Sequence, residues 1–547
     1  MASVGTLVPR LPARRARSLL YEPWIVALLA GAVIVTIGRV GPDWPAQDYR
    51  TWFAQHVGLR AWNGAWYAGH ALPSYSVLFP PITAVLGAQL SGLMASTATV
   101  WAGSRLIDRT TPAQTAGPAR LLVAAKAALA LSSLCCLLIG QLPFLLGVAS
   151  GLLALVALHG RRGTATALFA MASSLASPLA GLFLLCIGVG CVRAIGPRRA
   201  FPLAAAGVGA GVATLLGNQG TFPFEITGGV AFAIFVALCL LLLPTTMRVA
   251  RDSVLTMALV AVALSAFPNA IGGNVTRLAQ FFALPFALWA MASRSVRPPN
   301  PHTRHFLFLA ASLAALIWVS VPTVSAVARS SGDPSTNESF YSGLLSFLAT
   351  QDPRQGRLEI PFTREHWEAS FVAPHFALAR GWERQLDIKY NAVLYHPLSA
   401  TTYRAWLDES AVQLVALPRV PLDYGGVAER SLLAHPPSYL SVVYADRLWT
   451  VYRVERAAHL FTGTNSALVR LGTSSFTVRF FGPGSATMKI HASPLWRVNT
   501  ARACLVASSD GWLHIDANRA DVVTVTATIT PAALIGHSPS TCDNDHG

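Results

Sequence analysis

The stretch QDYRTWFAQHVGLRAWNGAWYAGHALPSYSVLFPP, residues 47 to 81, is the part of the sequence that decides how the fold is interpreted. It lies between two apolar segments, yet it contains an aspartate, two arginines, two histidines and many aromatic side chains. It is too aromatic for a solvated linker, and amphipathic aromatic sequence of this kind is expected to fold along a membrane surface. The stretch therefore predicts a structured loop, like a lid, between two membrane spans.

The composition supports a membrane protein. The 547 residues are 53% hydrophobic and only 12% charged, whereas a soluble chain carries about 25% charged residues. The net charge of +16 would suit nucleic acid, but the arginines occur in pairs and triplets between apolar blocks and form no single basic face. The sequence therefore indicates membrane lipids, and not nucleic acid, as its surroundings.

The sequence predicts about eleven transmembrane helices. Each crossing of a bilayer needs about 17 to 25 apolar residues. The predicted spans fall near residues 22–39, 77–104, 121–140, 143–159, 164–178, 179–195, 200–217, 229–247, 253–268, 278–293 and 305–328.

The arginines predict the orientation of these spans. Those around residues 10–17, 105–120, 161–162, 193–199, 248–251 and 294–304 fall in alternate loops, as the positive-inside rule requires of cytoplasmic segments. The N-terminus is therefore predicted inside and everything after about residue 330 outside. No small-residue cleavage site precedes Arg39, so an uncleaved first span is preferred over a signal peptide. The prediction is a multi-pass protein of the cytoplasmic membrane with an extracytoplasmic C-terminal part.

Three regions follow from this pattern. Residues 1–329 form the transmembrane domain, with a long first external loop at 40–76. Residues 330–456 are predicted to be α/β, because RLEIPF, VQLVALP and LWTVYRV are typical of strands and Thr401 to Glu409 of a helix. Residues 457–547 alternate between apolar and polar positions and predict a small β-sandwich, a fold for which carbohydrate binding is one available role.

The seven cysteines divide between two environments. Five lie in apolar segments and are interpreted as small buried residues, and none shows the spacing of a metal site. Cys504 and Cys542 lie outside the spans, on the predicted oxidising side, and are expected to form a disulfide.

Two aspartates follow the first span. Asp43, in the turn-like GPDW, is interpreted as a solvated loop carboxylate. Asp48 is followed at once by the aromatic lid sequence, so it is the stronger candidate for a functional acid.

The first loop and the second span resemble a known superfamily. The resemblance rests on the loop WNGAWYAGH and on the tyrosine- and proline-rich entry to the second span, SYSVLFPP, with weaker likenesses at IGQLPFLLGVASG, GGNVTRLAQFFALPFALW and ARGWERQLD. It is similar to the C-type (GT-C) glycosyltransferases, and within them to long actinobacterial-type chains with an extracytoplasmic C-terminal domain. The matching loop positions are Trp62, Gly64, Trp66, Tyr67, Gly69, Tyr75, Pro80 and Pro81.

The resemblance implies an enzyme that takes a sugar from a polyprenyl-phosphate donor. The acceptor would be a glycan, lipid or protein of the cell envelope, and an acid in the first external loop would act as general base. Asp48 is the matching position. The chain lacks the tryptophan–aspartate signature of oligosaccharyltransferases and the adjacent acidic pair of protein mannosyltransferases, so the resemblance identifies no acceptor.

Polar residues elsewhere complete the predicted site. Arg277, with Asn274 one turn earlier, is placed to bind a donor phosphate, although an arginine snorkelling to the interface has the same pattern. Glu225 is suited to orienting a sugar hydroxyl or a divalent cation, or is an exposed loop acid. His70 is suited to a phosphate or hydroxyl, or is simply hydrogen-bonded within the loop.

Aromatic and charged clusters have two interpretations each. Trp62, Trp66, Tyr67 and Tyr75 suit a sugar ring or the prenyl chain, and equally the aromatic belt of any membrane protein. In ARGWERQLD, Arg380, Trp382, Glu383 and Arg384 suit weak binding of an acceptor glycan. An internal salt-bridge network that docks the tail onto the membrane part is preferred there.

The sequence leaves one rival to the enzyme: a lipid-linked glycan transporter or a non-catalytic membrane assembly factor. A transporter places its functional charges near the middle of its spans. The candidate charges here lie at span ends, which favours the enzyme.

Overall fold

The structure is a computed structural model. It describes residues 22–38, 40–72, 75–111, 119–216, 220–224, 226–243, 247–292, 301–506, 509–534, 536 and 542.

The N-terminal part is a bundle of helices. Within the described residues, a helix begins within about five residues of the first residue of each predicted span. The helices before residue 331 are α1 Pro23–Ile37, α2 Trp44–His56, α3 Phe79–Thr110, α4 Ala119–Leu138, α5 Leu142–His159, α6 Gly163–Ala176, α7 Pro178–Ile195, α8 Pro197–Ala200, α9 Ala205–Leu216, α10 Ile226–Leu242, α11 Arg248–Ser265, α12 Arg277–Ala292 and α13 Pro301–Ser330.

Several of these helices can cross a bilayer. Six stretches in the described part of the chain are long and apolar enough to do so: Ala119–Leu138, Leu142–His159, Pro178–Ile195, Pro197–Leu216, Gly272–Ala292 and Leu309–Ser330. Shorter apolar helices lie at Pro23–Ile37, Gly163–Ala176 and Ile226–Leu240. The chain is therefore a multi-pass membrane protein.

Small and hydroxylated residues hold the helices together. The Ser173 hydroxyl on α6 donates to the carbonyl of Gly147 on α5 at 2.8 Å, and Ser174 donates to Ala206 on α9 at 2.6 Å. The hydroxyls of Ser96 and Ser133 lie 2.9 Å apart between α3 and α4. Such residues let backbones approach closely, which is the usual basis of helix packing in lipid.

The first loop is folded and largely buried. It contains α2 and a short hairpin of β1, Trp62–Asn63, and β2, His70–Ala71. The Tyr49 ring on α2 stacks on Trp66 with centroids 4.3 Å apart. Trp44 is fully buried, and its indole donates to the Leu138 carbonyl at 2.9 Å. The loop was expected to form a lid, but it is instead covered on both sides because the C-terminal part packs onto it.

The region that follows combines one sheet with several short helices. A mixed sheet has the strand order β3-β4-β6-β5, with β3 parallel to β4 and the other pairs antiparallel. Strand β4 has the bounds predicted for VQLVALP. The elements are α14 Ser342–Leu348, β3 Arg357–Glu359, α15 Glu368–Phe371, α16 Arg384–Asn391, α17 Ala400–Glu409, β4 Val412–Pro418, α18 Val427–Leu433, β5 Leu440–Ala445 and β6 Trp449–Val454.

The last region is rich in strands. Two four-stranded antiparallel sheets, ordered β12-β13-β10-β7 and β11-β14-β9-β8, share one hydrophobic cluster. The elements are β7 Phe461–Gly463, β8 Ser466–Leu471, β9 Ser475–Phe480, β10 Gly484–His491, β11 Trp496–Val498, β12 Ala503–Val506, β13 Trp512–Ala517, β14 Asp521–Ala527 and α19 Pro531–Leu534. Cys504 and Cys542 are bonded, as the sequence analysis expects.

The three regions are connected through the first loop. One hydrophobic cluster contains Trp44 and Trp66 of the loop together with Trp367 and Trp449 of the α/β region. On the other side of the hairpin, Trp62 packs against Trp496 of the final sheets, with centroids 4.9 Å apart. The loop is thus fixed between the membrane helices and the C-terminal part, and it contributes to a cavity at this junction.

Candidate active site

A polar cavity of about 300 Å³ lies where these parts meet. Its walls are α2, the first residues of α5 and α7, the segment that leads into α12, and residues 382–385. The residues with polar side chains that line it are Asp43, Gln47, Arg50, Tyr75, Gln141, Ser177, Asn274, Arg277, Glu383, Arg384, Gln385 and Tyr424.

Asp43 supplies a carboxylate to this cavity. It is the residue just before α2, and its side chain does not cap that helix. Among the described residues, none donates a hydrogen bond to the carboxylate or forms an ion pair with it. Burial raises the pKa of Asp43, although the nearby charges of Arg277, Arg50 and His366 oppose that shift. A carboxylate without a fixed partner and with a raised pKa is suited to accept a proton.

Arg277 supplies a cation to the same cavity. It begins α12, and Asn274 precedes it in the 3₁₀ turn Gly272–Thr276. Within the described part of the chain, no side chain forms an ion pair or hydrogen bond with its guanidinium. It is close enough to influence the titration of Asp43. The cavity therefore has a carboxylate and a guanidinium that are both available to a ligand.

A buried ion pair fixes one wall. Arg50 of α2 contacts the Glu383 carboxylate at 2.6 Å, and both side chains are less than a tenth exposed. The Arg50 guanidinium also lies over the Tyr75 ring, 4.6 Å from its centroid. Gln47 donates to the Tyr75 hydroxyl at 3.1 Å. These contacts join the first loop to the C-terminal part and set the position of Tyr75.

Trp382, which precedes Glu383, also lines the cavity and is held by its own contacts. Trp382 stacks on His366 with ring centroids 3.3 Å apart, and its indole donates to the Pro42 carbonyl. Burial lowers the pKa of His366, but the carboxylates of Asp423 and Glu368, each 3.7 Å away, outweigh it and the net shift is upward. When His366 carries a proton, its charge lowers the pKa of Asp43.

Several residues predicted for the site stand outside the cavity. Trp62, Trp66 and Tyr67 are at most 2% exposed and pack the loop against the C-terminal part. His70 is fully buried, and burial, together with the charge of Arg50, lowers its pKa to about 3, so it is neutral at physiological pH. These four residues form the support of the site, and the structure gives none of them a face toward the cavity.

Arg380 is also inaccessible to an acceptor. Its guanidinium makes two bonds to Asp387, at 2.9 and 2.6 Å, and one to Glu429 at 3.0 Å. It is 2% exposed and lies over the Phe362 ring. The Arg380 guanidinium thus lies within an internal network with three buried acids, Glu359, Asp387 and Glu429, all of which belong to the C-terminal part.

Two other predicted residues, Asp48 and Glu225, are not among the described residues that line the cavity. Asp48 lies on α2, where its carboxylate accepts a hydrogen bond from Ser370 at 3.0 Å, and it does not line the cavity. Glu225 lies outside the described residues. The structure therefore brings together Tyr75, Asn274, Arg277, Trp382, Glu383 and Arg384 of the predicted set.

Asp43 is the residue that sequence reasoning placed on the surface. One signal could have identified it, since it is the first acid after the first span and directly precedes a Trp-Pro pair that begins a helix. The described residues contain no group of three or more His, Cys, Asp or Glu side chains that could hold a metal ion.

Comparisons with known proteins give similar structures at low identity. No protein-family model matches the chain, and no curated protein matches it in sequence. The arabinofuranosyltransferase AftD from mycobacteria is similar over 95% of this chain, with 12% identity and a TM-score of 0.44. The chain spans 58% of the length of that protein.

A second solved structure is similar over a smaller part. It is the archaeal oligosaccharyltransferase AglB from Archaeoglobus fulgidus, in complex with an inhibitory peptide and a dolichol-phosphate. It matches 74% of this chain and 70% of its own, with 12% identity and a TM-score of 0.37.

Proposed function

We propose that this protein is a membrane glycosyltransferase. More particularly, it transfers a sugar from a polyprenyl-phosphate donor to an acceptor hydroxyl at the outer face of the cytoplasmic membrane. In this proposal the spans number about eleven and the final two sheets form a β-sandwich outside the membrane. The observation that carries the proposal is that one cavity holds both the Asp43 carboxylate and the Arg277 guanidinium, neither of which forms an ion pair with the described residues.

The reaction requires a base for the acceptor's proton and a cationic group that stabilises the negative charge on the leaving phosphate. The acceptor oxygen attacks the anomeric carbon, its proton passes to Asp43, and the bond between that carbon and the phosphate oxygen breaks. The electron pair leaves with the polyprenyl phosphate. A positioned general base contributes about a hundred- to ten-thousand-fold to such a rate. Because Asp48 does not line the cavity, the proposal assigns the base to Asp43, five residues before the position predicted from sequence.

Arg277 is assigned to the leaving phosphate. A fixed cation stabilises charge that develops in the transition state, and it does so more strongly in a site that excludes water. Asn274 lines the same cavity and can donate to a phosphate or sugar oxygen. Arg277 begins α12, a helix long and apolar enough to cross the membrane, so a phosphate bound there would have its lipid chain beside the bundle.

The acceptor is assigned to the C-terminal side of the cavity. Tyr424 is 63% exposed, and its ring lies 4.3 Å from the Arg384 guanidinium. Exposed aromatic faces beside a charged group suit the apolar and hydroxylated faces of a sugar ring. The two tryptophans of the final sheets, Trp496 and Trp512, are buried and offer no such face. We therefore assign acceptor contact to Tyr424 and Arg384, ahead of the sheets.

The test is substitution of the two acids in the purified protein. Asp43→Asn keeps the shape of the side chain but cannot take a proton, so transfer from a polyprenyl-phosphate sugar should fall about a hundred- to ten-thousand-fold. Binding of the donor should persist, because Arg277 is unchanged. The matched control is Asp48→Asn, which lies on the same helix and should keep transfer within a few-fold.

Two outcomes would change the assignment. Loss of transfer in Asp48→Asn with full activity in Asp43→Asn would return the base to Asp48. If the purified protein consumes no polyprenyl-phosphate sugar at all, while it binds one, the transporter or assembly-factor interpretation replaces the enzyme.

A further inference from the structure

A second and larger cavity opens at the other end of the helix bundle. Its volume is about 1200 Å³, and its walls are mainly leucine, isoleucine, phenylalanine and valine side chains of α3, α5, α7, α11 and α12. The mouths of the two cavities lie at opposite ends of the helices that they share, although their linings meet at Arg277 and Leu278 of α12. On α5, the small cavity contacts Pro143 and the large one reaches His159. The sixteen residues of helix from Pro143 to His159 span about 24 Å, so the small cavity and the mouth of the large one are separated by nearly the thickness of the hydrocarbon core.

The mouth of the large cavity is strongly basic. Six arginines line it: Arg161, Arg162, Arg193, Arg198, Arg199 and Arg248. All six are exposed. No aspartate or glutamate is among the described residues that line this cavity. Arg193 contacts Asp252 at 3.6 Å, and the described residues provide no ion pair for the other five.

The positive-inside rule explains why arginines are on this side, but it does not explain why they surround an opening. Two helices, α6 and α11, also begin at this mouth without a side-chain cap, so their N-terminal dipoles add to the positive potential. Inside the mouth the walls are apolar as far as Leu278 on α12. The cavity therefore has an anion-binding entrance and a deep apolar interior.

We infer that this cavity binds an anionic lipid from the inner leaflet, with the phosphate on the arginines and an acyl chain in the interior. Basic pockets between membrane helices on the cytoplasmic side are suited to anionic head groups, and each arginine near such a surface is worth about a fivefold change in affinity. The arginine mouth distinguishes this lipid from a neutral one, because a zwitterionic head group carries no net charge for the arginines to bind. The inference does not rest on the proposed transfer reaction.

The experiment measures lipid binding to the full-length protein in neutral detergent. The probes are phosphatidylglycerol and phosphatidylcholine with the same chains and the same fluorescent acyl label, followed by anisotropy. We expect phosphatidylglycerol to bind at least tenfold more tightly. The double variant Arg198→Gln/Arg199→Gln should weaken that binding by roughly ten- to thirty-fold. The control pair Arg105→Gln/Arg109→Gln removes the same charge from exposed arginines of α3 that do not line the cavity, and should stay within twofold.

A second variant tests the interior without changing charge. Ala250→Trp places a large ring at the mouth on α11 and should exclude the acyl chain, so that phosphatidylglycerol binds at least tenfold more weakly. Melting temperatures within a few degrees of the native protein would show that all variants are folded. Equal binding of the two lipids, or equal loss in both arginine pairs, would overturn the inference. Displacement of the lipid by millimolar inorganic phosphate, with Ala250→Trp unaffected, would identify a site for free anions and would also overturn it.

Discussion

Two aspartates of the first loop differ because of helix geometry. Asp43 precedes α2 and Asp48 lies five residues further on, and at 3.6 residues per turn these positions are about 140° apart around the axis. One side chain can therefore line the cavity while the other meets Ser370. Sequence proximity to a membrane span does not distinguish them. The direction of each side chain does, and it favours Asp43 as the base.

The pH dependence of transfer should report Asp43. The base must be deprotonated, so the rate should fall about tenfold per pH unit below its pKa. Because burial raises the pKa of Asp43, the decline should begin at a higher pH than an exposed aspartate would give. The measurement is kcat/KM against pH with a saturating acceptor. A rate that stays level down to the ordinary titration range of aspartate would contradict this assignment.

Arg277→Gln should both lower kcat/KM for the donor and raise the pKa of the base, Asp43. Loss of a hydrogen bond to a charged group costs about 1.5 to 3 kcal/mol, so kcat/KM for the donor should fall about ten- to a hundred-fold. Since Arg277 lowers the pKa of Asp43, its removal should also move the acid decline of the rate to higher pH. Arg60→Gln, an exposed arginine of the same loop, is the control. An unchanged pH profile with lower activity would leave Arg277 with a structural role only.

At the scale of elements, Tyr67 connects the hairpin of the first loop to the backbone of Glu383, just before α16. Its hydroxyl accepts from the Glu383 amide at 2.7 Å and donates to the Glu383 carbonyl at 3.1 Å, and the side chain is buried. Tyr67→Phe leaves the Glu383 amide unpaired, whereas the carbonyl keeps its bonds from the Leu386 and Asp387 amides. The loss should lower the free energy of unfolding by about 1 to 3 kcal/mol. Because Glu383 pairs with Arg50, transfer should fall as well.

The control for Tyr67 is the same substitution elsewhere. Tyr452→Phe removes a hydroxyl from a side chain that is 6% exposed and makes no hydrogen bond with the described residues. Thermal unfolding in detergent should shift by several degrees for Tyr67→Phe and hardly at all for Tyr452→Phe. Equal shifts would mean that the phenol does not hold the segment before α16.

The sequence predicts elements better than it predicts their contacts. Apolar length alone places helices close to each predicted span, and alternation places β4 at its observed bounds. The aromatic residues of WNGAWY were ambiguous, because burial beneath a second region and exposure at a membrane surface favour the same side chains. Trp66 is fully buried, and part of its cover is Gly381, 315 residues later, which packs against its ring. Local sequence patterns do not predict contacts between residues so far apart in the chain.

At the scale of the whole molecule, the site depends on regions that contribute no cavity residue. The final sheets support the first loop through Trp62 and Trp496, and the Gly64 amide donates to the Thr473 carbonyl at 2.5 Å. The loop in turn carries Asp43 and Arg50. Unfolding of the sheets should therefore displace the cavity residues of the loop, even though the sheets and the loop are far apart in sequence.

The disulfide of these sheets provides a way to test that dependence. Cys504 and Cys542 are 38 residues apart, and closing a loop of this length stabilises the folded state by about 3 to 4 kcal/mol in the chain-entropy model. Cys504→Ser/Cys542→Ser should unfold the sheets at a lower temperature. Transfer at 25 °C should be nearly native, because the cavity is intact while the sheets remain folded, but it should be lost on heating at the temperature where the sheets unfold.

The matched control, Cys186→Ser, alters a buried thiol of α7 that is not bonded. If transfer in the double variant survived after the sheets had unfolded, the loop would not need their support. Free thiols at both positions in the unreduced native protein would contradict the pairing itself.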